Sequence, residues 1–320
     1  MTIWCNADVG AEGIEALRRG VGEHRLLLAS EQTNNLSSTG RNPLLAEAEI
    51  AFGQPDPQQA MELPGLRWIH LTSAGYTRYD SDGFREAIRA RGAVMTNSSS
   101  VFDEACAQQL MAFMLALARQ LPESLADQLG RRGWRYEQLR AEARLLTGQT
   151  AVILGFGAIA RRLSELLSPF RMEVIGVRRT VRGDEPVATR PINELDELLP
   201  KADHVINILP ANLSTERLMN RERFAQMKPG SNFYNIGRGT TVDQDALIAA
   251  LESGQIGAAY LDVTDPEPLP SDHPLWTTHN CYITPHVAGG HRGEMLHIVQ
   301  HFLENLRLYE SGSQLRGRVI

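Results

Sequence analysis

The sequence predicts an α/β fold with two doubly wound parallel-sheet domains, on three observations. Strand-like apolar runs alternate with helical patterns over residues 2–96, which is typical of a parallel sheet. A G-x-G-x-x-A motif at 155–160 stands between an apolar run and a helical pattern. The chain of 320 residues is long enough for two such domains with cores of their own. We place one domain at residues 1–98 and 288–320, and the other at 99–287.

The first domain is predicted from short strands separated by helices and turns. A turn, Ser73-Ala74-Gly75, directly follows one strand. Ligands of parallel sheets bind beyond the carboxyl ends of the strands, so this turn is placed to offer backbone N–H groups to an anion, although an ordinary turn explains it equally well. The predicted strands are 2–5, 25–29, 49–52, 67–72 and 93–96; the helices are 12–19, 84–91 and 290–307; residues 34–42 form a polar loop.

The second domain begins with a long helix over residues 100–120, which is apolar on more than one side. Such a helix links two domains or packs against a partner subunit. Residues 121–148 are polar and rich in arginine, which indicates an arm or an irregular crossing segment that leads into the nucleotide domain. The predicted strands that follow are 151–154, 173–178, 202–210, 231–236, 258–263 and 281–284, with helices after Gly157 and at 218–227 and 243–253.

The glycine motif has the residue types that a dinucleotide site needs. Gly155 permits a sharp turn, Gly157 lets a pyrophosphate approach the backbone, and Ala160 allows close packing of helix on strand. The helix N-terminus offers free N–H groups to the phosphates. Arg178-Arg179-Thr180 follows the next strand, where an NAD site has Asp or Glu. Two guanidinium groups favour a 2′-phosphate, and hence NADP, although they are also explained as solvated charges.

Three further strand ends carry polar side chains: Arg238, Glu267 and His286. The carboxyl ends of parallel strands meet at one edge, so we expect all three beside Gly155. A carboxylate behind a histidine orients the ring and favours its protonated form, which makes an acid–base pair. An arginine beside them can hold a substrate carboxylate by two hydrogen bonds.

Composition excludes several other classes of protein. A net charge of -6 argues against a nucleic-acid binder. The cysteines, Cys5, Cys106 and Cys281, fit no disulfide framework, which indicates a reducing compartment, and we expect a cytoplasmic protein because no signal peptide is evident. The longest apolar run, 110–118, is too short to span a membrane. His297 and His301 have zinc-ligand spacing, but the glutamate of a zinc protease is missing, so we predict no metal site.

The spaced motifs together resemble the D-isomer-specific 2-hydroxyacid dehydrogenase family. The matching stretches are the glycine motif with its flanks at 146–160, Asn-Ile-Gly-Arg-Gly at 235–239, residues 261–270, and Ile-Thr-Pro-His at 283–286. The resemblance implies a Rossmann NAD(P)-binding domain, a flavodoxin-like substrate-binding domain and a homodimer. It implies catalytic roles for Arg238, Glu267 and His286, and substrate binding by Ser73, Ala74 and Gly75. The implied cofactor-binding residues are Gly155, Phe156, Gly157, Ala158, Ile159, Arg178, Arg179, Thr180, Leu209, Pro210, Thr215, Ile236, Gly237, Asp262 and Gly289.

The implied reaction is hydride transfer between nicotinamide and a small 2-keto or 2-hydroxy acid, and Arg178 shifts the expected cofactor to NADP, with NAD as the alternative. The branch implied is that of glyoxylate and hydroxypyruvate reductases. Two alternatives stay open. Some proteins similar to the family are nucleotide-sensing corepressors, and formate-dehydrogenase-like members carry Gln at the position of Glu267. The complete set of Arg, Glu and His favours the keto-acid enzyme.

Overall fold

The computed structural model describes residues 1–34 and 40–320. They form two compact units, one of Met1–Phe102 with Gly290–Ile320 and one of Asp103–Gly289. The predicted boundaries were 98/99 and 287/288, and the predicted loop at 34–42 lies largely outside the described residues. The strands are β1 (Thr2–Ala7), β2 (Arg25–Thr33), β3 (Ile50–Phe52), β4 (Trp68–His70), β5 (Val94–Thr96), β6 (Thr150–Leu154), β7 (Glu173–Arg178), β8 (Ala188–Pro191), β9 (His204–Asn207), β10 (Ser231–Asn235), β11 (Ile256–Leu261) and β12 (Cys281–Ile283).

The helices are mostly short, and those before α11 lie between successive strands. Several of them begin with a side-chain cap, such as Ser81, whose hydroxyl accepts a hydrogen bond from Phe84 N. The helices are α1 (Gly10–Gly20), α2 (Pro57–Glu62), α3 (Asp82–Ala90), α4 (Ser99–Ala118), α5 (Leu121–Ala126), α6 (Tyr136–Glu142), α7 (Ala158–Leu167), α8 (Leu195–Leu198), α9 (Arg221–Gln226), α10 (Gln244–Glu252) and α11 (Glu294–Glu310).

The first unit is built on a five-stranded sheet in the order β2-β1-β3-β4-β5. All of its strands are parallel, and the order is that of flavodoxin, as predicted. The central strands β3 and β4 are short and buried on both faces, whereas β2, at the edge, has nine residues and is largely exposed or half-buried. Trp4, Trp68 and Phe84 are among its fully buried side chains.

The second unit is built on a seven-stranded parallel sheet in the order β12-β11-β10-β9-β6-β7-β8. Counted from β6, the order is that of a Rossmann fold with one additional strand, so the predicted fold class is confirmed. The sequence analysis missed β8, which among the described strands pairs only with β7. This edge strand alternates exposed with half-buried residues and ends in Pro191, so it lacks the apolar run of a central strand.

The structure confirms one prediction for residues 99–148 and corrects another. The predicted helix at 100–120 is α4, which has 20 residues and, by length and composition alone, is long and apolar enough to cross a membrane. The core helix of a globular protein passes the same test. Residues 121–148 are not irregular throughout, because they include α5, a π-helical turn at Asp127–Arg131, and α6.

Candidate active site

The turn between β6 and α7 fits a dinucleotide phosphate. Gly155 has φ of +91°, a conformation that side chains other than glycine's rarely adopt. A Cβ added to Gly157 would meet nothing within 4 Å, so its Cα faces open space. Gly157 is also the N-cap of α7, whose first turn contains no acidic residue and has no side-chain cap. The free N–H groups of this turn can therefore accept a pyrophosphate against bare backbone.

The other predicted cofactor residues follow successive strands of the same sheet. The Phe156 ring packs so closely on Gly176 that a Cβ there would lie 2.4 Å from it. Thr215 Oγ donates a hydrogen bond to Pro210 O and closes the loop after β9. At the carboxyl edge the predicted residues are distributed as Ala158 and Ile159 at the start of α7, Leu209 and Pro210 after β9, Ile236 and Gly237 after β10, Asp262 after β11 and Gly289 after β12.

The end of β7 contains an ion pair that the sequence analysis did not anticipate. Arg178 Nη1 donates a hydrogen bond of 2.7 Å to Glu185 Oε1, while Arg179 and Thr180 are exposed. Glu185 also accepts hydrogen bonds from the backbone N–H groups of Arg182 and Gly183. The only signal in the sequence was an acidic residue a few positions after an arginine pair, which is common in solvated loops.

His286 and Glu267 form a hydrogen-bonded pair, with His286 Nδ1 2.9 Å from Glu267 Oε2. The second carboxylate oxygen of Glu267 accepts a hydrogen bond from Thr264 N at 3.0 Å. Burial tends to raise the pKa of Glu267, but its bond to His286, the Thr264 N–H and the charge of Arg238 outweigh this and lower it. Glu267 is therefore an ionised partner that fixes the His286 ring and leaves Nε2 free to exchange a proton.

Arg238 stands between two glycines whose backbones touch neighbouring loops. A Cβ on Gly237 would lie 2.5 Å from Leu209 O, and one on Gly239 would lie 2.0 Å from the backbone of Thr264. This close approach brings Arg238 to the loop that carries Glu267. Burial lowers the pKa of Arg238, and the Glu267 charge opposes that shift. A half-buried guanidinium beside a carboxylate–histidine pair can bind an anion such as a substrate carboxylate.

Asp262 holds the backbone around His286. His286 has φ of +53°, and its N–H donates to Asp262 O at 2.8 Å. The Asp262 side chain accepts hydrogen bonds from Val287 N at 2.9 Å, Ala288 N at 3.0 Å and the Thr284 hydroxyl. A carboxylate has about four acceptor positions, so one remains for the predicted nicotinamide amide. The sequence analysis missed this supporting role.

The predicted substrate loop, Ser73-Ala74-Gly75, belongs to the first unit. Ser73 Oγ donates to Gly75 O at 2.6 Å and accepts from Gln54 Nε2, while Asn97 Nδ2 donates to Ala74 O at 2.7 Å. The backbone N–H groups of the loop donate to no residue in the described part of the chain. They therefore remain available to an anion, as the prediction requires.

The histidine pair considered for zinc lies on α11. His301 Nε2 lies 3.3 Å from Asn97 O, and the His297 ring lies near that of His291. Within residues 1–34 and 40–320, no group of three or more His, Cys, Asp or Glu side chains could hold a metal ion.

Comparison with known proteins gives matches to one family of dehydrogenases. The family model described as "D-isomer specific 2-hydroxyacid dehydrogenase, NAD binding domain" matches residues 111–288. The chain is 32% identical over 282 residues to glyoxylate/hydroxypyruvate reductase B of Escherichia coli O9:H4 (strain HS), covering 86% of this chain and 84% of that protein.

Solved structures give the same result. A D-isomer specific 2-hydroxyacid dehydrogenase family protein from Aeromonas salmonicida has a TM-score of 0.78 at 28% identity, covering 100% of this chain and 98% of the other. A D-isomer specific 2-hydroxyacid dehydrogenase from Xanthobacter autotrophicus Py2, in complex with NADPH and MES, has a TM-score of 0.80 at 26% identity with the same coverage. The chain therefore belongs to the D-isomer specific 2-hydroxyacid dehydrogenase family and is an NAD(P)-dependent dehydrogenase.

Proposed function

We propose that this protein reduces a small 2-keto acid of the glyoxylate or hydroxypyruvate type to the D-2-hydroxy acid with NADPH, or catalyses the reverse oxidation. The observation that carries the proposal is the 2.9 Å pair of His286 and Glu267 with Arg238 beside it. These groups lie at the carboxyl edge that also carries the glycine turn. The names of the relatives in Escherichia coli and Klebsiella pneumoniae, glyoxylate/hydroxypyruvate reductase B, support the substrate class.

His286 is the proton donor in this proposal. Its Nδ1 is engaged by Glu267, so Nε2 is the atom that gives a proton to the oxygen of the forming alkoxide. The bound nicotinamide supplies the hydride. Glu267, fixed by Thr264 N–H, keeps the ring oriented and stabilises the imidazolium before the proton leaves.

Arg238 binds the substrate carboxylate and polarises the neighbouring carbonyl. The guanidinium donates one hydrogen bond to Gly237 O, at 2.6 Å, which leaves the other N–H groups for the substrate. In the same proposal, the backbone N–H groups of Ser73, Ala74 and Gly75 bind an oxygen of the substrate. A panel of 2-keto acids, each assayed with NADPH and with NADH, tests the whole proposal. If the protein binds NADPH but oxidises it in the presence of none of the keto acids, this result would support the corepressor alternative instead.

Cofactor preference gives the first prediction. Arg178 and Arg179 at the end of β7 lie where NAD-binding relatives have an acidic residue. A charge-assisted hydrogen bond to the 2′-phosphate contributes about 1.5–3 kcal/mol, so we expect kcat/KM for NADPH to exceed that for NADH by at least about tenfold. Arg178→Gln should narrow this ratio. Glutamine is chosen because aspartate would place a carboxylate beside Glu185.

The control is Arg171→Gln, which removes the same charge just before β7, at the opposite end of the strand. This variant should keep the ratio of kcat/KM for NADPH to kcat/KM for NADH that the unmodified protein has. Equal efficiency of the unmodified protein with both cofactors at low salt would show that Arg178 and Arg179 do not bind the 2′-phosphate.

Assembly as a homodimer is part of the same proposal. Residues 121–145 expose six large apolar side chains, and only about a third of α4 is buried. Trp134 is 92% exposed and Leu129 83% exposed. A second copy of the chain, with the same apolar segment, is the partner that a symmetric interface needs. In the described part of the chain, Cys5, Cys106 and Cys281 form no disulfide bond, which fits the cytoplasmic location that we propose.

Light scattering after size exclusion should therefore give twice the chain mass of 35.5 kDa. Replacing Leu129 and Trp134 together by Asp and Ser should shift the protein towards the monomer, because both side chains lose apolar contact with the partner. Leu213→Asp is the control, since Leu213 is 94% exposed but lies in the loop after β9. A monomeric parent at assay concentration would contradict the proposed dimer.

A further inference from the structure

The loop after β7 is folded around a single carboxylate. Glu185 Oε1 accepts hydrogen bonds from Arg178 Nη1 at 2.7 Å and from Arg182 N at 3.0 Å. Glu185 Oε2 accepts from Gly183 N at 2.8 Å. The Glu185 side chain is 2% exposed and that of Arg178 is 18% exposed. The carboxylate therefore ties residues 182–185 back onto the end of the strand.

Glu185 is an ionised structural group and not a ligand for ribose. The hydrogen bond from Arg182 N is the largest influence on its pKa; with Gly183 N and Arg178 it overcomes the opposing effect of burial and lowers the value to about 2. Both oxygens are engaged and the side chain is shielded from solvent. A ribose 2′-hydroxyl could reach this carboxylate only by displacing an arginine or opening the loop.

Within the described residues, the Arg178 guanidinium makes one hydrogen bond, from Nη1 to Glu185. A guanidinium carries five N–H donors, and in the described part of the chain the one donor of Arg178 that is engaged goes to Glu185. The remaining donors lie on a side chain whose orientation is fixed by a short ion pair. A donor group that is already oriented loses less entropy when it binds an anion.

The charges around this pair favour an anion. Arg179 and Arg182 are exposed on the same loop, and Arg161 of α7 lies 3.5 Å from Asp184. Asp184 and Glu185 are the two carboxylates among residues 178–185, and each of them already faces an arginine. Arginine charge thus remains in excess where the strand meets the loop.

We propose that Glu185 is a positioning residue that sets the preference for a 2′-phosphorylated cofactor by holding the Arg178 guanidinium ready for the phosphate. This inference rests on the proposed function, since it requires a nicotinamide cofactor that carries the 2′-phosphate. Glu185 touches neither the cofactor nor the reacting atoms and acts only through Arg178.

Neutralising Arg178 and positioning Arg178 are two distinct roles for Glu185, and they differ in their effect on phosphate binding. If the carboxylate only neutralised Arg178, its removal would free a positive charge and strengthen phosphate binding. If it positions Arg178, its removal must weaken phosphate binding, because the guanidinium then becomes mobile and the loop loses its anchor. The two roles therefore predict changes of opposite sign in the same variant.

The test is Glu185→Gln, measured by calorimetric titration with 2′,5′-ADP, which carries the 2′-phosphate, and with 5′-AMP, which lacks it. Glutamine keeps the size of the side chain but turns an amide donor towards Gly183 N–H or Arg178. We expect the Kd for 2′,5′-ADP to rise about tenfold, as for the loss of one charge-assisted hydrogen bond, with the Kd for 5′-AMP unchanged. KM for NADPH should rise in parallel while kcat with saturating NADPH stays at the parent value.

The matched control is Asp184→Asn, which removes a charge from the neighbouring residue, whose side chain is 67% exposed. It should leave the Kd for 2′,5′-ADP the same or slightly lower. In an Arg178→Gln background, Glu185→Gln should cause no further loss, because the two residues act through one contact. An additional loss there, or a tighter Kd in the single variant, would overturn the inference.

The outcomes also separate this inference from the proposed function. If the parent itself binds 2′,5′-ADP no better than 5′-AMP, the proposed NADPH preference fails. If the parent prefers 2′,5′-ADP and Glu185→Gln keeps that preference, only the positioning role fails. Glu185→Asp provides a second variant: it retains the charge but is shorter by one methylene, so it too should weaken 2′,5′-ADP binding if position matters. An equal loss for both nucleotides would indicate a collapsed loop and contradict the specific role.

Discussion

Replacing His286 by asparagine lowers kcat for keto-acid reduction by about 10²–10⁴-fold, the usual contribution of a positioned general acid. The expected result follows from the 2.9 Å contact between His286 Nδ1 and Glu267, which leaves Nε2 as the proton donor. Asparagine is the better replacement because His286 has φ of +53°, and asparagine tolerates this left-handed conformation more readily than alanine or glutamine. Stopped-flow and steady-state rates with saturating NADPH measure the effect.

The control for this variant is His279→Asn, an exposed histidine just before β12, at the end of the strand opposite His286. It should keep the parent kcat. Titration with NADPH should give nearly the parent Kd for both variants, since His286 is proposed to act on the substrate oxygen. A His286→Asn protein with near-normal kcat across neutral pH would remove His286 from the mechanism.

The sequence predicted the fold well because the two sheets are parallel and buried. Strands such as β6 and β9 are covered on both faces, so they appear as continuous apolar runs with polar residues only at their ends. The same rule placed Arg238, Glu267 and His286 at one edge, since the carboxyl ends of parallel strands lie together. The sequence could not give the 2.9 Å contact, because that depends on the conformation of two loops.

The features that the sequence analysis missed depend on contacts between residues distant in the chain or on weak local patterns. The strand β8 ends in Pro191 and has no apolar run, so its place at the sheet edge is set by pairing with β7. The support of His286 by Asp262 joins two strand ends that the sequence shows separately. The role of Glu185 needs the fold of its loop, because an exposed and a buried glutamate look the same in sequence.

Substrate capture is expected to fail when Arg238 is replaced by lysine, even though the positive charge is retained. The planar guanidinium donates to Gly237 O at 2.6 Å and still has further N–H groups for a carboxylate. An ammonium is a point charge and cannot reproduce that fork. We therefore expect a higher KM for the keto acid and a lower kcat, with kcat/KM reduced by about 10–100-fold, the effect of one charge-assisted hydrogen bond.

The backbone explains why no neighbouring residue should compensate for Arg238→Lys. Gly237 and Gly239 are in direct contact with the loops after β9 and β11. The backbone at residue 238 therefore cannot shift to bring a lysine ammonium to the position of the guanidinium. Arg190→Lys, on the exposed edge strand β8, is the control and should keep parent kinetics. The Kd for NADPH should be unchanged in both variants, because Arg238 is proposed to bind the substrate and not the cofactor. If Arg238→Lys turned over keto acids with the parent KM, another group would have to bind the substrate carboxylate.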